Sequence, residues 1–274
     1  MDYYRGKVVY ITGGSSGIGL TAARLVVKAG GKVAISARGK ERLDAALAEL
    51  KALGPDVDAI AIACDVSNPE ESRRAAKEVL AHFGQCDVVI ANAGVAHCMK
   101  MTDTEDEAYE RMMRINYLGT VHTVRAFLPH LIERKGGRIG IVSSLLGFMG
   151  TFGYTAYAPS KFAQVGFAEC LRQEVLEYGI GVTILYPPDT DTPQLAAENQ
   201  TKPPETKAIS GNVKTLPAEA VALPLLQGLA RKKLNVVPGG MGKFTHFMKR
   251  HAPSVVNWVI DGDLKKYQRK STGR

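Results

Sequence analysis

The chain has 274 residues, 45% of them hydrophobic, which is enough apolar material for one domain with a full core. Its 35 Lys and Arg residues against 27 Asp and Glu residues give a net charge of +8, which suits nucleic acid, anionic lipid, an acidic carrier protein or a phosphorylated cofactor. The four cysteines form no C-x-x-C pair and the histidines add no metal-ligand spacing, which argues against a disulfide framework and a metal site.

Short apolar segments alternate with longer helical patterns along the chain. The predicted strands cover residues 8–11, 32–36, 59–63, 88–91, 138–142, 181–185 and 235–237. The predicted helices cover residues 17–29, 41–53, 69–83, 105–133, 160–178 and 218–232. Because parallel strands need crossover connections that cover the sheet, the pattern predicts an α/β fold, a single Rossmann-type doubly wound parallel sheet of about seven strands with helices on both faces.

A glycine-rich turn, T-G-G-S-S-G-I-G, connects the first strand to the first helix at residues 12–19. Without Cβ atoms in the way, backbone N–H groups and the helix N-terminus can face a pyrophosphate. Glycines also make ordinary structural turns, but here an apolar strand precedes them and an apolar helix follows. The predicted dinucleotide contacts in this turn are Thr12, Gly13, Ser15, Ser16, Gly17, Ile18 and Gly19.

The residues that end the second strand decide which dinucleotide is favoured. An acidic residue there would bind the ribose 2′-hydroxyl and repel a 2′-phosphate, but this chain has Ser36-Ala37-Arg38. Arg38 can form charge-assisted hydrogen bonds to a 2′-phosphate, and Ser36 can add one more. We therefore predict NADP(H) as the cofactor, against the alternative that Arg38 is only a surface charge.

The ends of the third and fourth strands offer further cofactor contacts. Asp65 and Val66 follow the third strand and are candidates for contact with the adenine. Asn92, Ala93 and Gly94 follow the fourth strand and form a small-residue corner where the adenine ribose can pass.

The run Tyr157-Ala158-Pro159-Ser160-Lys161 indicates proton-transfer chemistry. Tyrosine has a reference pKa near ~10 and becomes a useful acid at neutral pH only when a cation lowers that pKa, and a lysine one helical turn away supplies the cation. Pro159 is tolerated only within the first turn of a helix, where its missing N–H is not needed. A tyrosine taken alone is more often a core or surface residue, but together with the glycine-rich turn it predicts a proton donor for carbonyl reduction.

Taken in order, T-G-x-x-x-G-x-G, N-A-G, an asparagine in the long helix, a serine and Y-x-x-x-K resemble the short-chain dehydrogenase/reductase family. The resemblance implies that Tyr157 donates a proton to the carbonyl oxygen and that Ser144 hydrogen-bonds to the same oxygen. It implies that Lys161 lowers the tyrosine pKa while binding the nicotinamide ribose, and that Asn116 holds a water molecule linking the lysine to solvent. The family's serine lies thirteen positions before the tyrosine, which favours Ser144 and leaves Ser143 as the second candidate.

The sixth strand is followed by a corner where the family has Pro-Gly and this chain has Pro187-Pro188. The second proline stiffens the corner. The resemblance makes Pro187, Thr190 and Thr192 cofactor contacts, with Thr192 beside the nicotinamide carboxamide. Residues 187–216 are rich in polar residues and proline and follow a strand end, so we predict a substrate lid there.

The run Y-P-P-D-T-D-T-P at residues 186–193 resembles the branch of the family that reduces 3-ketosphinganine. That resemblance implies NADPH-dependent reduction of this ketone to sphinganine in sphingolipid biosynthesis. Asp189 and Asp191 are candidates for attracting the substrate's ammonium group, with helix capping as the alternative. Two other functions stay open: a 3-oxoacyl-carrier-protein reductase or other short-chain ketoreductase, and a non-catalytic nucleotide-binding regulatory protein.

A long-chain ketone also needs an apolar path to the proton donor. The segment between the serine and the tyrosine supplies six candidates, whose alternative role is loop packing. They are Leu145, Leu146, Phe148, Met149, Phe152 and Tyr154.

One domain is predicted, an NADP-binding catalytic unit at residues 1–240 with the lid inside it, and a basic amphipathic extension follows at residues 241–274. The extension is a candidate for contact with anionic lipid headgroups, with subunit packing or plain solvation as alternatives. A strand pattern begins by residue 7 and no run of about 18 apolar residues occurs, so we expect a cytoplasmic protein without a signal peptide or membrane span, at most peripheral to the membrane. The predicted partners are a small lipid-like ketone and further copies of the chain in a homodimer or homotetramer, but not nucleic acid.

Overall fold

The computed structural model describes residues 1–210 and 214–271. Within the predicted lid, residues 211–213 lie outside the described residues, as do the last three residues of the predicted extension. In the described part of the chain, seven strands form the central sheet: β1 (Val8–Thr12), β2 (Lys32–Ala37), β3 (Ala59–Ala63), β4 (Val88–Ala91), β5 (Gly137–Val142), β6 (Ile180–Leu185) and β9 (Asn235–Val236).

Every neighbouring pair in this sheet is parallel, and the order across it is β3-β2-β1-β4-β5-β6-β9. A second, two-stranded parallel ribbon pairs β7 (Thr190–Asp191) with β8 (Leu216–Pro217). The doubly wound α/β fold predicted from the alternation of strands and helices is confirmed. Because the strands are parallel, their carboxyl ends lie along one edge, and the predicted site residues follow those ends.

Helices cover both faces of the sheet, and further helices form the lid and the extension. They are α1 (Gly17–Lys28), α2 (Lys40–Lys51), α3 (Pro69–Phe83), α4 (Asp106–Met112), α5 (Gly119–Glu133), α6 (Tyr157–Glu174), α7 (Pro193–Thr201), α8 (Pro204–Ser210), α9 (Ala218–Ala230), α10 (Gly240–His251) and α11 (Pro253–Ser271).

The apolar core has two layers, one on each face of the sheet. On one face, α1, α2 and α9 contribute buried side chains such as Val26 and Leu225. On the other face, α3, α5 and α6 contribute side chains such as Phe127 and Leu171. All five residues of β1 and all six of β6 are buried, which is typical of parallel strands covered on both sides.

Two helices differ from their predicted bounds by more than two residues at an end or by an interruption. The helix that contains the Y-x-x-x-K run begins at Tyr157 rather than at residue 160, so Pro159 falls in its first turn, where a proline costs no hydrogen bond. The helix predicted over residues 105–133 is interrupted by a π-helical turn at Met113–Leu118. Within that turn the carbonyl of Asn116 accepts hydrogen bonds from the Thr120 hydroxyl (2.7 Å) and the Gln164 amide (2.8 Å), which compete with the regular helical ladder.

The lid and the extension are mainly helical. The β7–β8 ribbon lies where the lid leaves and rejoins the sheet domain, and α7 and α8 lie between its two strands in sequence. The extension is broken at Ala252-Pro253 into α10 and α11, which pack on each other, and α11 also packs on α8 of the lid. No helix in the described ranges is long and apolar enough to cross a membrane.

Candidate active site

The glycine-rich turn is shaped by two close approaches. Gly13 has φ +66°, and a Cβ there would lie 2.9 Å from the Cα of Ala93 at the end of β4. Gly17 has φ +55°, and a Cβ there would lie 3.0 Å from the Thr192 methyl group at the start of α7. Both positions therefore require glycine for conformation as well as for space. The turn thus contacts the β4 corner on one side and the lid on the other.

A cavity of about 280 Å³ runs along the carboxyl edge of the sheet. The sequence-predicted residues that line it are Gly13, Ser15, Ser16, Gly17, Ile18, Arg38, Asp65, Val66, Asn92, Ala93, Gly94, Ser143, Tyr157, Lys161, Pro187, Asp189, Thr190 and Thr192, whereas Ser144 does not line it. Other lining residues were not predicted as contacts, and they include Arg42, Cys64, Val95, Ile115, Gln194, Leu195 and Glu198.

Three predicted cofactor residues support this cavity from behind rather than line it. The Thr12 hydroxyl accepts hydrogen bonds from the backbone N–H groups of Asn92 and Ala93, both at 3.0 Å, and so fixes the β4 corner. Gly19 is buried in α1, where a Cβ would collide with the Gly13 carbonyl. Ser36 is 1% exposed and its hydroxyl hydrogen-bonds to the Tyr10 hydroxyl at 2.8 Å. The expectation that Ser36 contacts the cofactor is corrected by this burial.

The cofactor-selecting end of the cavity carries two arginines rather than one. Arg38 directly follows β2 and Arg42 lies in the first turn of α2, and both line the cavity with exposed side chains. Gly39, the N-cap of α2, lies between them. Arg42 was not predicted, because the strand-end pattern that indicates Arg38 does not extend into the helix. This end of the cavity therefore offers two guanidinium groups to an anion.

The predicted proton donor lies at the other end of the cavity. Tyr157 is the first residue of α6 and is 7% exposed. Ser144 is close enough to lower the pKa of the Tyr157 hydroxyl, and its oxygen accepts the Leu146 N–H at 3.1 Å. Ser143, the second candidate, is buried and donates its hydroxyl to the Lys161 carbonyl at 3.0 Å. The geometry thus favours Ser144 as the partner of the tyrosine.

Burial is the main cause of the pKa shifts of Tyr157 and Lys161 at this end of the cavity. It raises the pKa of Tyr157, and the Glu198 carboxylate raises that pKa further, while the Ser144 side chain lowers it. Burial also lowers the pKa of Lys161 to about 7. A lowered tyrosine pKa was expected from the sequence. In this structure the pKa of Tyr157 is raised, because desolvation outweighs the influence of Ser144.

Lys161 and Asn116 are held by short networks. The Lys161 ammonium nitrogen donates to the Val142 carbonyl at 3.0 Å and lies 5.6 Å from the centre of the Tyr157 ring. Asn116 is fully buried, with its amide nitrogen donating to the Ser160 hydroxyl (2.9 Å) and its Oδ1 accepting the Val95 N–H (2.8 Å). These bonds tie the π-helical turn to α6, and the water-relay role of Asn116 stays a prediction.

The lid brings charged side chains to the tyrosine. Glu198 and Asp189 both line the cavity. The Lys202 ammonium lies 3.2 Å from Oε1 of Glu198 and 3.7 Å from Oδ2 of Asp189, and the Tyr154 hydroxyl donates to Glu198. Sequence reasoning missed Glu198 and Lys202, because a Glu and a Lys four residues apart in a polar helix are typical of a surface ion pair.

The apolar segment before the tyrosine packs against neighbouring helices. The Phe148 ring centre lies 4.9 Å from that of His246 in α10 and 5.5 Å from that of Tyr186. The Phe152 carbonyl accepts the Thr206 hydroxyl of α8 at 2.9 Å. None of the six predicted path residues belongs to the cavity lining found in the described part of the chain. Loop packing, the alternative in the sequence analysis, therefore accounts for Phe148 and Phe152.

Residues 1–210 and 214–271 hold no group of three His, Cys, Asp or Glu able to bind a metal ion. The cysteines are all free thiols, with Cys64, Cys86 and Cys98 buried and Cys170 exposed. Among the groups discussed above, the cavity therefore offers Tyr157, Lys161 and the lid's charged residues for chemistry.

Comparison with known proteins identifies the family. The model of the family described as short chain dehydrogenase matches residues 7–203. The chain belongs to the short-chain dehydrogenase family. This short-chain dehydrogenase is an oxidoreductase that binds a nicotinamide cofactor.

Two similar relatives share the same kind of name. The short-chain dehydrogenase is 39% identical over 240 residues to the 3-ketodihydrosphingosine reductase of Bos taurus, covering 86% of this chain and 72% of that one. It is 42% identical over 208 residues to the 3-dehydrosphinganine reductase of Danio rerio, covering 75% of this chain and 63% of that one.

Solved structures support the same fold. A short-chain dehydrogenase from Streptomyces avermitilis is 28% identical and superposes with a TM-score of 0.78 over 98% of both chains. A short-chain dehydrogenase/reductase from Burkholderia phymatum, solved in complex with NAD, gives a TM-score of 0.82 over 93% of this chain and 96% of that one. At 22% identity this second likeness shows the fold of the short-chain dehydrogenase and no more.

Proposed function

We propose that this enzyme uses NADPH to reduce 3-ketosphinganine, also called 3-dehydrosphinganine or 3-ketodihydrosphingosine, to the secondary alcohol sphinganine in sphingolipid biosynthesis. The observation that carries the reaction type is the pair Tyr157 and Lys161 in the cavity lining, with Ser144 close enough to the tyrosine hydroxyl to lower its pKa. The substrate rests on relatives that are 37–42% identical and are named as reductases of this ketone.

In the proposed reaction, the cofactor supplies a hydride to the carbonyl carbon and is itself oxidised, while the protein supplies a proton to the carbonyl oxygen. Tyr157 donates that proton, and Ser144 donates a hydrogen bond to the same oxygen as negative charge develops on it. Lys161, with its pKa lowered to about 7 by burial, exchanges a proton near neutral pH and is suited to restore the tyrosine. Asn116 positions the start of α6 through Ser160.

NADPH is proposed over NADH because Arg38 and Arg42 line the far end of the cavity. Guanidinium groups bind phosphate through charge-assisted and often paired hydrogen bonds. The proposed cofactor contacts in the cavity are Gly13, Ser15, Ser16, Gly17, Ile18, Arg38, Arg42, Asp65, Val66, Asn92, Ala93, Gly94, Tyr157, Lys161, Pro187, Thr190 and Thr192.

Three assays of NADPH oxidation test the substrate: with 3-ketosphinganine, with an acetoacetyl carrier-protein thioester, and with neither. We expect turnover with 3-ketosphinganine and little with the thioester. Turnover on the thioester alone would identify a 3-oxoacyl-carrier-protein reductase. Tight NADPH binding without turnover on any ketone would instead favour a regulatory nucleotide-binding protein.

The extension at residues 241–274 supports a second proposal, contact with the cytosolic face of an anionic membrane. In α10 and α11, Met241, Phe244 and Trp258 are 70%, 61% and 75% exposed. Seven Lys and Arg residues lie between positions 240 and 271, against two Asp. Exposed aromatic side chains beside basic ones are typical of helices that rest at a lipid headgroup layer. Residues 1–240 would then form the catalytic domain and the extension its membrane contact.

Vesicle sedimentation tests this contact. The full chain should bind phosphatidylserine-containing vesicles and should bind pure phosphatidylcholine vesicles much less, and Phe244→Ser with Trp258→Ser should abolish that binding. Leu53→Ser is the matched control, because Leu53 is 40% exposed in the turn after α2 and lies outside the extension. If the double variant keeps vesicle binding but turns a homodimer or homotetramer into a monomer, the extension is a subunit interface instead.

A further inference from the structure

Glu198 is a carboxylate in an unusual place for a lid residue. It lies in α7, its side chain is 10% exposed, and it lines the same cavity as Tyr157. Most charged residues of a surface helix point to solvent, since burying an ionised carboxylate is costly unless it is paired. The position of Glu198 therefore calls for a specific reason.

Two contacts hold the Glu198 side chain towards the tyrosine. The Tyr154 hydroxyl donates a hydrogen bond to Oε1, and the Lys202 ammonium lies 3.2 Å from the same oxygen. The rings of Tyr154 and Tyr157 have centres 5.9 Å apart, so the residue that holds Glu198 also packs on the proton donor. Because both contacts use Oε1, Oε2 is the oxygen left for a ligand.

The charge around Glu198 is not balanced by the protein. Lys202 is 3% exposed and is shared between Glu198 and Asp189, whose Oδ2 lies 3.7 Å from the ammonium. Within residues 1–210 and 214–271 neither carboxylate forms another ion pair. Two carboxylates and one ammonium leave one negative charge facing the cavity. An ion pair that only held the lid in place would need no more than Glu198 and Lys202. The second carboxylate, Asp189, therefore points to a cationic ligand.

The electrostatics of the tyrosine agree with this geometry. After burial, the Glu198 carboxylate is the largest influence that raises the pKa of Tyr157, and Asp189 also raises it. A cation bound between these carboxylates and the tyrosine would offset their effect and favour release of the Tyr157 proton. In a 2-amino ketone the ammonium and the carbonyl oxygen are on adjacent carbons, so one ligand can reach both groups.

We propose that Glu198, supported by Asp189, binds the ammonium group of a 2-amino ketone and makes the enzyme prefer such ketones over uncharged ones. The inference rests on the proposed carbonyl reduction and assigns its substrate preference to a residue. It also corrects the candidate pair from the sequence: Asp189 stays at the cavity, while Asp191 is exposed in β7 and does not line it.

The test compares two ketones and three carboxylate variants. The ketones are 3-ketosphinganine and the matching hydroxy ketone without the amino group. Glu198→Gln keeps the size of the side chain and an acceptor for Tyr154 but removes the charge. Glu198→Asp keeps the charge. Glu205→Gln is the matched control, since Glu205 is another lid carboxylate, paired with Lys100 at 2.6 Å, that does not line the cavity.

We expect Glu198→Gln to lower kcat/KM for the amino ketone by about 10- to 100-fold, the effect of one charge-assisted contact, and to leave kcat/KM for the uncharged ketone within about threefold. Glu198→Asp should retain part of the preference, and Glu205→Gln all of it. Melting temperatures of the variants report on folding. Equal losses on both ketones would show that Glu198 only holds the lid, and would overturn the inference.

Failure of the proposed function is distinguishable from failure of the inference. If the unmodified enzyme reduces 3-ketosphinganine and its preference is unchanged in Glu198→Gln, only the role of Glu198 is wrong. If the unmodified enzyme reduces uncharged ketones or the thioester but not 3-ketosphinganine, the substrate proposal and the inference both fail.

Discussion

Replacing Arg38 and Arg42 with alanine removes the two cations that line the cavity at the end of β2. A hydrogen bond to a charged group contributes about 1.5–3 kcal/mol, and the lower value applies here because both guanidinium groups are exposed to solvent. Since about 1.4 kcal/mol is a factor of ten, each single variant should lose about tenfold in kcat/KM for NADPH. The double variant should lose about 100-fold if the two contributions add.

The assay is the initial rate with each dinucleotide at saturating ketone. The same variants should change kcat/KM for NADH by less than about threefold, because NADH lacks the 2′-phosphate that the two arginines are proposed to bind. Lys40→Ala is the matched control: Lys40 lies between the two arginines in sequence, pairs with Asp44 at 3.3 Å, and does not line the cavity. An unchanged NADPH-to-NADH ratio in the double variant would refute the assignment, and an equal loss in Lys40→Ala would reduce it to a general charge effect.

Three further outcomes are expected. Tyr157→Phe should keep NADPH binding, measured by fluorescence, and lower kcat by at least about 100-fold; preserved turnover would contradict proton donation by Tyr157. Because the folded pKa of Lys161 is about 7 and an unfolded lysine titrates near ~10.4, the unfolded chain binds more protons between these values. The unfolding free energy should therefore rise with pH from about 7 to 10, relative to Lys161→Met, by up to about 1.4 kcal/mol per pH unit in urea titrations, and parallel pH profiles would contradict this. Asp87 accepts the buried Val8 N–H at 2.9 Å and pairs with Lys7 and Arg134 at 3.2 and 3.1 Å, so Asp87→Ala should cost about 3 kcal/mol of stability without changing the NADPH-to-NADH ratio. A melting temperature within about a degree of the unmodified protein would refute that role.

Local patterns predicted much of the site. The glycine-rich turn and the strand ends need only the strand–turn–helix order, and parallel strands then place Arg38, Asp65 and Asn92 along one edge. Tyr157 and Lys161 lie one helical turn apart wherever α6 packs. These residues could be found because sequence spacing alone determines their relation.

The places of other residues depend on tertiary packing, which no local sequence pattern predicts. Ser36 lies at a strand end, but its hydroxyl hydrogen-bonds to Tyr10 on the neighbouring strand and the side chain is buried. Asn116 sits in a π-helical turn, which a 3.6-residue period does not anticipate, and its contacts come from α6. Glu198 depends on how the lid returns over the sheet domain, a relation between segments more than forty residues apart in sequence.

The β7–β8 ribbon has a consequence for how this enzyme can change. Its two strands pair Thr190 with Leu216 and Asp191 with Pro217, so the lid leaves the sheet domain and rejoins it at neighbouring points. A segment whose ends are already side by side can be lengthened, shortened or exchanged at a small cost in loop-closure entropy. Grafting a foreign lid between residues 192 and 216, so that Thr192 is kept, should therefore alter which ketone is accepted while the proposed dinucleotide contacts and the proton donor stay in place. In this architecture the lid can change the substrate range while the sheet domain keeps the redox chemistry.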